Sequence, residues 1–328
     1  AGEKFNINSP KQLGVILFEK LELPVIKKTK TGYSTNADVL EKLSDKHEII
    51  DKITEYRQIV KLNSTYVEGL SNIINPISGR IHSSFNQTIT TTGRISSTEP
   101  NLQNIPVKTE MGREIRKVFI ADEHSKLVDA DYSQVELRVL AHMSGDEHMI
   151  EAFQNDIDIH SKTASQIFDV DIDEVNSKQR SEAKAINFGI VYGKTVFGLS
   201  QDLNIPVAQA KAYIESYFAN YDKIKVFMDE AIQNATDNGY ALTIFNRRRY
   251  IPEINSSNFM VRNQGKRFAM NAPIQGSAAD IIKIAMVNVY NRLKDEQLKS
   301  RLILQVHDEL IVEAVEEEID EVCKIVKE

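Results

Sequence analysis

Residues 302–313 read LILQVHDELIVE, and the fold turns on why His307, Asp308 and Glu309 stand together inside so apolar a run. Alternating apolar residues on either side read as two strands, or one bent strand, entering a sheet. Charges in such a place are costly unless something pairs with them. One account is a tight hairpin whose turn happens to be acidic. The other is a strand end whose carboxylates have a partner.

The 328 residues are 41% hydrophobic, 27% charged and 7% aromatic, the make-up of a globular chain long enough for two or three domains. The single cysteine, Cys323, excludes a disulfide framework and a cysteine-rich zinc site and fits a reducing compartment. It falls on the apolar face of an amphipathic stretch, EEEIDEVCKIVKE, where core packing is expected. No apolar run reaches membrane-spanning length and AGEKFNINSP lacks a signal-peptide pattern, so a cytoplasmic location is expected. The net charge of −7 argues weakly against a nucleic-acid partner. It hides basic clusters at Arg113, Arg116 and Lys117, at Arg247–Arg249, and at Arg262, Lys266 and Arg267, and a groove can be basic on an acidic protein.

Along the chain, Ser9 and Pro10 offer an N-cap and a first helical position, and a second helix is expected from Thr35. A periodic segment runs from about Lys46 to Ile74. Residues 75–107 are poor in apolar side chains and dense in Thr, Ser, Asn and Gln, which reads as loop and edge strand. An irregular stretch of that length tends to be functional or disordered. A strand, KLVDADYS, then helices to about residue 238, a hairpin with Asn246 at its turn, and two further helices complete the expectation before residue 302.

A second acidic strand end lies in LVDADYSQVELRVLAHMSGD, where Asp129 and Asp131 are two apart and share a side. A carboxylate at a strand–helix junction can be a simple N-cap. Two apolar strands each ending in carboxylates would, if adjacent, form a cluster of oxygen ligands suited to Mg²⁺ or Mn²⁺. Two such ions about 4 Å apart would point to in-line phosphoryl transfer.

In QRSEAKAINFGIVYGKT, Arg180, Lys184, Phe188 and Tyr192 recur every four residues and form one helical stripe about 18 Å long. Two cations followed by two aromatics suit a nucleotide, with its phosphate end and its planar end. The alternative is a solvated basic end and a buried aromatic end. GIVYGKT is not a phosphate-binding P-loop, because that loop needs four residues between its glycines and Gly189 and Gly193 enclose three.

DYSQVELRVLAHMSGD, RSEAKAINFGIVYG and LQVHDELIVE, in this order, resemble the three polymerase motifs of family A DNA polymerases, the bacterial DNA polymerase I group. TTTGRISSTEPNLQNIPVKTEMGREIRKVFIA and FAMNAPIQGSAADIIKIAM are similar to the same family, and the likeness covers the chain from about residue 5. It implies an α+β fold of right-hand polymerase architecture: a partial thumb at 1–74, a first part of the palm with a DNA-binding loop at 75–140, helical fingers at 141–274, and a second part of the palm, with an antiparallel sheet, at 275–328.

The resemblance also implies roles. Asp131 and Asp308 would hold two Mg²⁺, with Mn²⁺ as a substitute, and Glu309 would be an outer helper. Asp129 falls where relatives vary and would be dispensable. Arg180, Lys184 and His160 would grip the triphosphate, Phe188 would stack on the new base pair, and Tyr192 would fill the template-base position before closure. Glu136 would crowd the sugar 2′ position, with Gln134 beside it at the dNTP site. Arg94, Gln103, Asn104, Arg267, Asn271, Gln275 and His307 would face primer–template DNA.

The implied activity is template-directed DNA synthesis in replication or repair, by a cytoplasmic, nucleoid-associated monomer. On this resemblance the chain would begin inside the thumb, without the editing domain of larger relatives, and would end at Glu328 where relatives continue, so a palm strand is expected to lack its neighbour. Two other classes remain: a non-catalytic nucleic-acid-binding remnant, and another metal-dependent phosphoryl-transfer enzyme such as a nuclease.

Overall fold

The computed structural model describes residues 2–107 and 109–328. The chain divides into two compact units, Ala1–Ser83 with Ile105–Val118, and Ser84–Asn104 with Phe119–Glu328.

In the first unit, α1 (Pro10–Val15) starts where the sequence places it, with the Ser9 hydroxyl accepting from Gln12 N, and continues through a π-helical turn at Ile16–Lys20. A short hairpin, β1 (Lys28–Thr29) and β2 (Gly32–Tyr33), leads to α2 (Ala37–Glu41). The cap of α2 is Asn36 and not Thr35: Asn36 Oδ1 accepts from Val39 N at 3.2 Å, while the Thr35 carbonyl and hydroxyl both accept from Arg57. The expected long helix is α3 (Ile49–Leu62), which widens into a π turn at Asn63–Val67 before α4 (Glu68–Ser71). A final helix, α5 (Glu110–Arg116), is capped by Thr109. Leu13, Leu17, Phe18, Leu40, Leu43, Ile50 and Ile53 form the core.

The second unit holds the other sheets and most of the helices. Strand β3 (Ser84–Asn86) pairs with β4 (Ser96–Thr98), and the polar stretch between them is the expected loop. β5 (Ser125–Asp131) is followed by α6 (Val135–Ser144), α7 (Glu147–Gln154), α8 (Ile159–Phe168), α9 (Ser177–Val191), α10 (Val196–Leu203), α11 (Val207–Asn220) and α12 (Asp222–Asn238). Leu137, Leu140, Met149, Ile159, Ile186, Tyr217, Tyr221 and Ile224 bury the faces these helices turn to one another. β6 (Tyr240–Leu242) and β7 (Arg248–Tyr250) are the expected hairpin, and Asn246 takes the left-handed conformation its turn needs.

Where two helices were expected there is one: α13 (Phe259–Asp295) runs 37 residues with Pro273 inside it. Proline removes one backbone donor and ordinarily costs a helix about 3 kcal/mol. Here the run from Ala272 to Ile274 and from Gly276 to Asp280 is buried, and the Ser277 hydroxyl donates to the Pro273 carbonyl. Burial of that face outweighs the lost bond.

The hairpin β8 (Arg301–Val306) and β9 (Glu309–Val315) resolves the opening choice in favour of two strands, joined at His307 and Asp308. The sheet order is β5–β9–β8 and all pairs are antiparallel. In the central strand β9, Leu310, Val312 and Ala314 bury one face against α13 and α14 (Ile319–Lys327), each large apolar side chain contributing about 1.5–3 kcal/mol. Glu313, on the other face, is also buried and accepts from Asp122 N at 3.0 Å. Cys323 is half-buried on α14. Helices and small antiparallel sheets together make the α+β fold expected from the sequence.

Gly265 on α13 faces the backbone of Glu253 and Ile254, where an added Cβ would lie 2.6 Å from Ile254 N. Alanine is the better helix former by about 1 kcal/mol, yet Gly265→Ala should destabilise by about 2 kcal/mol through overpacking. Urea unfolding of the two proteins checks this, and a higher midpoint for the variant would show that the backbone has room.

Candidate active site

Antiparallel pairing of β5 with β9 sets Asp131 opposite Glu309, and Tyr132 N donates to the Asp308 carbonyl at 3.1 Å. The two acidic strand ends therefore meet at one end of the sheet. Sharp turns deliver them: His307 has φ +55° and Gln134, the N-cap of α6, has φ +56°. Non-glycine residues adopt that region at a cost, and such positions concentrate at functional sites.

Asp131 is exposed and Asp308 and Glu309 are half-buried. Desolvation raises the Asp131 pKa above its ordinary value, and the charges of Asp308 and Asp129 raise it further, against a hydrogen bond with Glu309 that lowers it. Carboxylates crowded this way favour a cation. Among the described residues, no three His, Cys, Asp or Glu side chains converge to hold a metal ion alone. The all-oxygen donor set fits Mg²⁺, which keeps its waters and is bound by one or two carboxylates together with substrate phosphates.

Gln305, missed in the sequence, braces this corner. It is buried within β8, and its Nε2 donates to the His307 carbonyl at 2.6 Å. Gln103, expected to face DNA, donates from Nε2 to the carbonyls of Ile95 and Gln305, both at 3.1 Å, and its Oε1 accepts from Ser97 N. Its amide ties the polar loop to β8. Asn104 beside it, on a short 3₁₀ turn, is exposed, as is His307.

Glu136, one residue into α6, is buried at 6% exposure with both carboxylate oxygens engaged. Arg94 Nη2 donates to Oε1 at 2.5 Å and the Tyr192 hydroxyl donates to Oε2 at 3.0 Å. Burial, and then the Glu136 charge, push Tyr192 up to about 12, so it stays a neutral donor. Gly93, just before Arg94, has φ +82°, and a side chain there would strike Arg247, whose guanidinium is held by buried Asp280.

The expected stripe lies on α9, which opens with a capping box between Asn176 and Gln179. Arg180 pairs with Asp158 through Nε at 2.7 Å and Nη2 at 3.1 Å, and although partial burial works the other way, this pairing, with the Ser161 hydrogen bonds, holds the Asp158 carboxyl far below its ordinary range. Lys184 is exposed. Phe188 and Tyr192 stack with centroids 6.4 Å apart, and His160 lies 5.9 Å from Phe188. His160 differs from the others in being buried, at 2% exposure. On α13, Arg267, Asn271 and Gln275 follow at four-residue steps, with Arg267 exposed and the other two half-buried. Asn271 Nδ2 reaches the Val191 carbonyl at the end of α9 at 3.5 Å. An oxygen-lined sheet end, a cationic and aromatic helix face and a row of amides are thus gathered in one unit.

The chain matches the description DNA polymerase family A across residues 1–328. Over its full length it is 60% identical to DNA polymerase I of Bacillus subtilis (strain 168) and 56% identical to DNA polymerase I of Geobacillus stearothermophilus. It covers 37% of the first and 38% of the second, little more than a third of either relative's length. A solved structure, the POL domain of Pol1 from M. smegmatis in complex with DNA primer-template and dNTP, superposes with a TM-score of 0.94 at 48% identity, covering 99% of this chain and 57% of that one. The fold is that of a polymerase domain, and the chain belongs to DNA polymerase family A. Among the described residues no helix is long and apolar enough to cross a membrane.

A carboxyl whose pKa is raised by folding costs no stability below its ordinary value, where both states are protonated, and opposes the folded state as the pH rises through the raised value, where it ionises. Without divalent ions, Asp131→Asn should therefore leave stability at pH 7 unchanged or higher, by up to about 0.5 kcal/mol given its exposure. The gain should vanish as the pH falls below the ordinary carboxylate range. Thermal melting at both pH values checks this; a clear loss at pH 7 would mean that the charge is anchored by donors.

Proposed function

We propose that this chain carries out template-directed DNA synthesis, joining the α-phosphate of a dNTP to a primer 3′-hydroxyl with release of pyrophosphate. The observation that carries the reading is the meeting of Asp131, Asp308 and Glu309 at one sheet end, in a chain that also presents the Arg180–Lys184–Phe188–Tyr192 stripe. The solved relative supports it, being a complex with primer-template and dNTP.

Asp131 and Asp308 would hold two Mg²⁺ (Mn²⁺ serving in their place), and Glu309 would support them from the outer side. When bound, these ions supply an activated 3′-hydroxyl and neutralise charge on the triphosphate. Arg180 would exchange Asp158 for a phosphate oxygen, and Lys184 would add its ammonium to the charge developing in the transition state. Phe188 would stack on the nascent pair. Glu136, fixed between Arg94 and Tyr192, would present an immobile wall to a 2′-hydroxyl, with Gln134 alongside. Arg94, Arg267, Asn271, Gln275, Asn104 and His307 would contact phosphates and the acceptors common to all base pairs. Gln103 would act by bracing the loop from which Asn104 projects. The expected division into thumb (1–74), palm (75–140 and 275–328) and fingers (141–274), the monomeric state and the nucleoid-associated cytoplasmic location belong to the same proposal.

Incubation with a primed template, labelled dNTPs and Mg²⁺ tests the reading: elongation supports it, shortening indicates a nuclease, and no change indicates a binding remnant. Asp131→Asn and Asp308→Asn should each cut incorporation by about a hundredfold or more while primer–template binding survives. Lys184→Ala should lower kcat/KM for dNTP by about tenfold or more with little change in DNA affinity. Loss of DNA affinity without a change in nucleotide kinetics would turn the stripe toward the duplex.

A further inference from the structure

Asn187 lies on the inner side of α9, next to Phe188, and is completely buried near Ile186 and Ile190. A primary amide in such surroundings is costly unless its polar atoms are bonded. Its Nδ2 lies 3.1 Å from His160 Nδ1 on α8 and 3.1 Å from Thr163 Oγ1, and its Oδ1 lies 3.3 Å from the same hydroxyl. Thr163 Oγ1 in turn lies 3.4 Å from the Tyr221 hydroxyl, so one chain of polar groups runs from His160 to the start of α12.

We propose that Asn187 is a positioning residue that fixes His160 as the tautomer protonated at Nε2, so that the ring presents a neutral N–H to an oxygen of the nucleotide triphosphate. This rests on the reading of α9 as the triphosphate-binding face. The ring is neutral because burial brings its pKa down to about 4, with Arg180 and Lys184 lowering it further and Asp158 opposing them. A neutral imidazole carries one N–H, and an amide NH₂ aimed at Nδ1 makes that nitrogen the acceptor. The proton is left on Nε2. His160 lies close enough to Arg180 and Lys184 to feel both charges, and it adds a donor to their set without adding a third cation. The pairing also ties the start of α8 to the later part of α9, as Asp158 with Arg180 ties it nearer the start of α9.

Nitrogen-15 NMR of histidine-labelled protein reads the tautomer directly, and the spectrum of His160→Gln assigns the signal among the seven histidines. The wild type should show Nε2–H. Asn187→Asp, nearly isosteric, places a carboxylate against Nδ1 and should draw a proton there. Asn187→Leu should raise KM for dNTP about tenfold, the worth of one hydrogen bond to a charged group, with kcat nearly unchanged. In a His160→Ala background the same substitution should have no further effect on KM. A wild-type Nδ1–H signal, or an Asn187→Leu effect undiminished in that background, overturns the proposal. A folded chain that binds no dNTP overturns the nucleotide reading beneath it, and the NMR result tells the two failures apart.

Discussion

Like charges brought to one place repel, and the register of β5 on β9 gives the carboxylates of this chain little room to separate. Asp131 faces Glu309 across the ladder, and Asp308 is fixed by the Tyr132 N–H bond to its carbonyl. Moving β5 by one residue would turn its side chains to the opposite face. Much of the unit serves to hold that register. Leu310, Val312 and Ala314 anchor β9 on α13 and α14. Gln305 and Gln103 hold the His307 turn and the polar loop by their backbones.

Glu136 shows the same economy on α6. A buried carboxylate without partners would be expelled or protonated. Arg94 and Tyr192 each take one oxygen, and they arrive from a loop and from the end of α9. Three segments distant in sequence thereby share one rigid contact. Arg94 in turn follows Gly93, whose left-handed backbone favours glycine and where an added Cβ would press on the Arg247 side chain that Asp280 holds.

What the sequence makes legible is what its own neighbours decide. Ser9 with Pro10, Asn246 at its turn, the two acidic strand ends and the four-residue stripe of α9 all follow from local periodicity or turn chemistry. The rest depends on partners far along the chain. The helix start expected at Thr35 falls on Asn36 instead, because Arg57, 22 residues away, takes the Thr35 hydroxyl. Pro273 reads as a break until the packing around it is known. Asn187 carries no local signal: an Asn one place before Phe188 looks like any helical polar residue until His160 is found beneath it. Gln305 is marked only by being a polar residue inside the apolar run LILQV, and its bonds to the His307 carbonyl and to Gln103 appear only in the fold.

The Asp158–Arg180 pair has a consequence for how anions meet this surface. Arg180 is not a bare cation awaiting a ligand; its guanidinium already faces a carboxylate in a two-bonded fork. A phosphate oxygen arriving there performs an exchange, setting one oxyanion in place of another or sharing the fork between them. The Arg180 side chain is still exposed, so an arriving phosphate also strips water from it, but with Asp158 already beside the charge few small counterions are there to be displaced. Ionic strength should then weaken binding less than a count of positive side chains along α9 implies. Selection would fall on the shape of the arriving oxyanion more than on its charge.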